Sequence, residues 1–333
     1  VSPPYHGAVR PVPLEDWNGR QEHVSADDLG LPDFGDPLDP ANRPARLAVG
    51  VVGTGRVGPA LAAALQLAGH RVVAGSGVSR ESRRRAETLL PGVRLVTPPQ
   101  VMAAADLVLL TVPDDVLAEL VAGLAATGAV RPGQILVHTS GAHGVAVLDP
   151  AARAGALPLA LHPAMTFTGT AVDVARLSGC PFGVTSPEEL RPVAEALVVE
   201  MGGEPEWVPE AVRPLYHTAL AHGSNHLVTL VAQAMEILAD AGVAEPGRML
   251  GPLLGAALDN ALRSGDAALT GPVARGDAGT VRKHVQQLRA TAPQVLDSYR
   301  AMARATADRA LANGMLKAEA AEALLDVLAE EDE

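Results

Sequence analysis

Ten histidines stand in the 333 residues beside one cysteine and two lysines, so acid–base chemistry in this chain falls mainly to imidazole. Six of the ten, His138, His143, His162, His217, His222 and His226, lie in one stretch. His162 ends the apolar run ALPLALHP directly before Pro163, where a strand would carry it to a cleft mouth. A neutral imidazole there can donate to a carbonyl receiving hydride, or take the proton of an alcohol; the alternative is a satisfied structural histidine. Ser140, 22 residues earlier at the previous strand end, is expected to hydrogen-bond the same oxygen, with Gly141 beside it as a substrate contact. On the helical segment that follows, Thr218, His222, Asn225 and Thr229 fall within about 60° of one another, with His217 beside them. Polar side chains on a buried helix face are costly without partners, so this stripe is expected to face a ligand, with His222 a substrate contact and His217 and Asn225 the catalytic candidates. Arg275, in LTGPVARGDAG, is a candidate clamp for a substrate carboxylate; the alternative is a cap-and-turn network with Asp277. No metal is expected, because the i, i+4 pair His222 and His226 has Gly-Ser-Asn between and no carboxylate near.

A second constellation is Gly53-Thr54-Gly55-Arg56-Val57-Gly58, placed after the strand-like LAVGVV and opening a helical stretch. In that context Gly53 permits the tight turn, Gly55 lets backbone amides approach a pyrophosphate, and Gly58 allows close helix–strand packing. The helix N-terminus then faces the anion. The next strand ends without a carboxylate, since no Asp or Glu occurs between Thr54 and Arg80. Ser76, Ser79 and Arg80 are suited instead to a 2′-phosphate, which points to NADP(H) as cofactor. Arg83, Arg84 and Arg85 read rather as a solvated helix face. Val112 and Pro113, at the next strand end in TVPDD, are expected to bracket the ribose–nicotinamide half with Asp114, which equally suits a helix cap.

These residues need elements that position them. From Arg46 short apolar runs alternate with Ala/Leu-rich helical stretches, predicting an α/β architecture with a Rossmann-type parallel sheet over 46–208. Strand signals stop near Pro209, and 209–330 is expected to be an all-α substrate and dimerisation domain. Residues 1–45 hold eight prolines and eight acidic residues against three basic ones, and read as a solvated extension, the alternative being one pinned to the body by Trp17 or Phe34. The net charge of −12 and eight aromatic residues argue against nucleic acid as a partner. No apolar run is long enough for a membrane span, and no secretory leader pattern is present, so a cytoplasmic protein is expected. The single Cys180 excludes an intrachain disulfide.

The set VGVVGTGRVG, TVPDD, HTSGAHG, LHPAMTF, LYHTALAHGSNH and LTGPVARGD resembles a family of Rossmann-like proteins followed by a helical domain of unknown function, over residues 46–325. The wider group holds ketopantoate reductases, β-hydroxyacid dehydrogenases, pyrroline-carboxylate reductases and prephenate dehydrogenases, which usually form dimers. Ser140 with His162-Pro163 is similar to the Ser and His-Pro pair of prephenate dehydrogenases, where the His contacts the hydroxyl being oxidised. The helix bearing Asn225 looks like the one carrying Lys and Asn in ketopantoate reductases. The lysine is missing here, which leaves His217, His222 or His162 as general acid. The resemblance implies an NADPH-dependent reductase of a small 2-oxo acid, with ketopantoate the first candidate and a homodimer the expected assembly. The alternatives are an imine reductase or dehydrogenase of the prephenate or pyrroline-carboxylate type, and a sensor that binds NADP without turnover.

Overall fold

The computed structural model describes residues 46–330, so the extension read over residues 1–45 lies outside the described residues. The first half alternates strand and helix: β1 (Ala48–Val52), α1 (Gly58–Leu67), β2 (Arg71–Ser76), α2 (Arg80–Leu89), β3 (Arg94–Leu95), α3 (Pro98–Ala104), β4 (Leu107–Leu110), α4 (Asp114–Ala126) and β5 (Ile135–His138). It continues through α5 (Asp149–Ala152), β6 (Leu157–Pro163), α6 (Ala171–Arg176), β7 (Pro181–Thr185), α7 (Arg191–Glu200) and β8 (Glu204–Trp207). The strands form one sheet in the order β3-β2-β1-β4-β5-β6-β7-β8. Because the chain leaves β1 towards β2 and returns to its other side at β4, a crevice opens at the carboxyl end of β1.

The sheet departs from the parallel expectation at one place. β7 runs antiparallel to β6, pairing His162 with Gly183, before β8 pairs parallel with β7. The short α6 connection between β6 and β7 turns the chain back where the earlier helical crossovers carried it across.

Alternation along the central strands gives the sheet two apolar faces. Val49, Val51, Leu107 and Leu109 pack with Leu61, Leu65, Leu197 and Val198 of α1 and α7. Val108, Leu110 and Leu136 face the other way, onto Val101 and Met102 of α3 and Leu117 and Val121 of α4.

After β8 the described residues are helical: α8 (Arg213–Asp240), α9 (Pro246–Ser264), α10 (Gly271–Ala274), α11 (Ala278–Thr291), α12 (Pro293–Ala312) and α13 (Ala318–Ala329). Helices α10–α13 share their own core around Val281, Val285, Leu324 and Leu328. The long α8 buries only Arg213, and α9 only Leu250. No helix among the described residues is long and apolar enough to cross a membrane.

Candidate functional site

The glycine loop occupies the crevice at the end of β1. Gly53 N and Thr54 N both donate to Ser76 O at 3.0 Å, latching the loop to β2. Gly53 has φ +102°, and a Cβ there would come within 2.6 Å of Thr111 O, so this turn requires glycine. A Cβ at Gly58 would collide with Thr111 Oγ1 and Gly53 O, which fixes close approach of α1 to the ends of β1 and β4. At Gly55, by contrast, an added Cβ would meet nothing within 4 Å. Val57 supplies no side-chain cap to α1, leaving the first amides free to meet an anion, with Arg56 beside them. The buried Thr54 Oγ1 has no hydrogen-bond partner among the described residues. An open cradle, an uncapped helix start and an orphan hydroxyl together suit a phosphate-bearing ligand.

At the end of β2, Ser76 is buried and its carbonyl holds the loop. Ser79 caps α2, its Oγ accepting from Ser82 N at 3.0 Å, so part of its capacity is committed to the helix. Arg80 shares a hollow of about 850 Å³ with Arg83, Arg84, Val78, Glu81 and Glu87. Arg83 and Arg84, read as a solvated face, thus stand with Arg80. Val112 and Pro113 follow β4, with Asp114 in the first turn of α4.

The chemical end lies where β6 meets α8. A pocket of about 190 Å³ is lined by His162, Ala164, Met165, Thr166, His217, Leu220, Ala221, Ser224 and Asn225. The His162 and His217 rings stand edge to face, their centroids 6.3 Å apart. Gly141 closes on both, since a Cβ there would lie 2.7 Å from His217 Cδ2 and 3.0 Å from His162 Nε2. The loop from β6 joins the two ends of the crevice: Met165 and Thr166 line the pocket, while a Cβ on Gly169 would touch Arg56 and Arg85. Asp173 shapes that loop, accepting from the amides of Thr168, Gly169 and Thr170 at 3.1, 2.6 and 3.3 Å.

Three of the expected site residues lie outside this pocket. Ser140 does not line the pocket; its Oγ accepts from His143 N at 3.1 Å, and its N–H donates to His138 Nδ1 at 3.2 Å. It shapes the turn that brings Gly141 to the imidazoles. His222 is exposed and meets His226, Nδ1 to Nδ1 at 2.8 Å, while Thr218 bonds back to Pro214 O. The face of α8 towards the pocket is His217, Leu220, Ala221, Ser224 and Asn225, because polarity marks a ligand-facing stripe only on a buried helix, and α8 is mostly exposed. Arg275 is exposed in the turn after α10 and does not line this pocket; Asp277 caps α11 by accepting from Thr280 N at 2.9 Å. His162 itself is held as a neutral imidazole. Burial, then the charge of Arg213 and the neighbouring His217, lower its pKa to about 4.

Two residues escaped the sequence reading. Arg213, fully buried at the start of α8, donates to Thr185 Oγ1, Ser140 O, Ala160 O and Gly183 O at 2.8, 3.2, 3.1 and 2.8 Å. It forms no ion pair among the described residues, and it ties the helical segment to the ends of β5, β6 and β7. Tyr216 lies with its OH 2.8 Å from His162 Nδ1. The only sequence signal for either was a cationic and an aromatic residue opening an apolar helix.

His138 is likewise held neutral, its pKa lowered to about 4 chiefly by burial, with Nε2 2.8 Å from Gly144 O. In the unfolded chain both histidines take up protons near pH 6.5. Between about pH 6.5 and 4 the unfolded state therefore binds more protons, and stability falls as pH falls. Urea unfolding at pH 7 and pH 5 should show a loss on the order of 1–2 kcal/mol per histidine, and His138→Phe should flatten the dependence.

Two known domain families match the chain, with their junction between β6 and β7. Residues 34–163 match a Rossmann-like domain, and residues 180–306 match a domain of unknown function, DUF2520. No curated protein matches the chain in sequence. Among solved structures, one described as an NADP oxidoreductase from Bacteroides fragilis is 22% identical with TM-score 0.67, over 79% of this chain and 98% of that one. An imine reductase from a Pseudomonas species is 18% identical with TM-score 0.56, over 85% and 100%. A pyrroline carboxylate reductase from Plasmodium falciparum, solved with NADP bound, is 11% identical with TM-score 0.53, over 79% and 98%. At these identities the likeness is one of fold. The chain thus joins a Rossmann-like domain to a C-terminal DUF2520 domain.

Proposed function

We propose that this chain is an NADPH-dependent oxidoreductase that reduces a small 2-oxo acid, with ketopantoate to pantoate as the first candidate. The observation that carries the reading is the single loop after β6, which lines the histidine pocket with Met165 and Thr166 and touches Arg56 of the glycine loop through Gly169. The residues at the first end fit the cofactor. The open space over Gly55 and the unsatisfied Thr54 Oγ1 suit its pyrophosphate, and Arg80, Arg83 and Arg84 suit a 2′-phosphate. Bound there, NADPH would supply hydride to the substrate carbon.

The protein's own residues would do the rest. His162 and Asn225 orient the reacting oxygen, Gly141 leaves room for it, and His217 supplies the proton. The likeness in fold to an imine reductase and a pyrroline carboxylate reductase supports a second reading, imine reduction. Exposed apolar side chains on α8 and α9, including Val228, Leu253 and Leu262 at 68%, 65% and 80% exposure, support assembly as a homodimer. A cytoplasmic setting is part of the same reading.

The test is oxidation of NADPH, against NADH, with ketopantoate and with pyrroline-5-carboxylate. Turnover of the oxo acid supports the first reading and turnover of the imine the second. Tight NADPH binding without transfer to either substrate would point to a sensor. Replacing Arg80 and Arg83 together by alanine is expected to raise the Kd for NADPH about 10–100-fold and leave that for NADH nearly unchanged.

A further inference from the structure

We propose that Tyr216 is a positioning residue for His162: its phenol donates to Nδ1, leaving Nε2–H as the ring's donor towards the pocket. The inference rests on the oxidoreductase reading and specifies how His162 would meet a substrate atom. The Tyr216 oxygen lies 2.8 Å from His162 Nδ1, and the rings meet edge to face with centroids 5.6 Å apart. Two placements of hydrogen satisfy that distance. If the imidazole donated, the phenol's hydrogen would need a second acceptor. Of the two neutral groups the phenol is the stronger donor and the bare imidazole nitrogen the stronger acceptor, so O–H to N is the favoured pairing. The phenol therefore donates to Nδ1, which holds the ring as the Nε2–H tautomer.

The packing maintains this arrangement. A Cβ on Gly183 would collide with the phenol oxygen, and one on Gly141 would reach within 3.0 Å of His162 Nε2. Glycine at the first position admits the phenol to the strand, and at the second it keeps Nε2–H accessible. Burial raises the pKa of the Tyr216 phenol and keeps its proton in place, while Arg213, 5.8 Å from the ring centre, opposes a charged imidazole at His162. The other ionisable groups acting on His162 are His217 of α8 and Asp114 of α4. His162 then acts through a hydrogen bond from a neutral ring. In carbonyl reduction bound NADPH would supply hydride to the substrate carbon and become NADP+, and His217 would supply the proton to the oxygen.

Nitrogen spectroscopy of histidine side chains on the full-length chain tests this, since one fixed tautomer separates the two ring nitrogens and exchange averages them. His162→Gln assigns the signal. The wild type is expected to show His162 as a single Nε2–H tautomer between about pH 8 and pH 6, above the range where it takes up a proton. Tyr216→Phe is expected to turn it into an exchanging mixture. His138, bonded to Gly144 and Ser140, should keep its pattern and report an intact fold. An Nδ1–H tautomer in the wild type, or an unaltered His162 signal in Tyr216→Phe, overturns the proposal. If Tyr216→Phe does not fold, the wild-type spectrum still decides. No substrate enters the measurement, so a fixed tautomer without hydride transfer defeats only the enzymatic reading. Turnover with an averaging His162 defeats only this one.

Discussion

Arg213→Met is expected to destabilise the protein by about 3–5 kcal/mol, because it removes one donor group from four buried acceptors at once. Methionine nearly fills the volume, so the loss is of hydrogen bonds more than of packing. Ser140 O, Ala160 O, Gly183 O and Thr185 Oγ1 would each lose a partner at the junction of β5, β6 and β7 with α8. Arg213→Lys should recover only part, since an ammonium on a single stem cannot reach three strand ends as a planar fork does. The measurement is the urea midpoint, with an unchanged m-value showing that the denatured state is the same. A midpoint equal to wild type for Arg213→Met would mean that water replaces the guanidinium at no cost.

The second large effect is on turnover. Under the proposed function, His162→Ala should lower kcat about 10²–10³-fold while the Kd for NADPH stays near wild type. The imidazole is a donor at the pocket and does not border the glycine loop, so binding and chemistry should separate. Asn225→Ala, at the more exposed edge of the pocket, should cost less, about tenfold. Stopped-flow single-turnover kinetics with the substrate found by the NADPH assay would read both. A fall in NADPH affinity matching the fall in kcat would show instead that His162 supports the fold of the cleft.

Much of the dinucleotide end was legible because its determinants are local. Gly53, Gly55 and Gly58 are set by a turn, an approach and a packing contact within six residues, and the run from β1 to α1 carries them in order. The alternation of strand and helix predicted the sheet, yet the reversal at β7 left no mark, since antiparallel and parallel strands share the same apolar run. At the chemical end, His162 was found from its strand-end position and His217 and Asn225 from the polar stripe of the helix, and the structure brings all three to one pocket. Of the stripe on α8, Asn225 reaches the pocket and His222 does not, because α8 is mostly exposed among the described residues. Arg275 stayed with its own turn because α10–α13 pack on each other.

What the sequence by itself determined was the fold class, the glycine cradle and the shortage of lysine and cysteine that leaves acid–base work to imidazole. Those follow from short-range sterics and composition, which a linear chain displays. Only the tertiary structure decided which histidine faces the pocket, which is neutral, and that Arg213 and Tyr216 organise it. Protonation and tautomer depend on burial and on partners 54 or more positions away, as Tyr216 is from His162 and Arg213 from Ser140. Such contacts exist only once β5, β6, β7 and α8 have met.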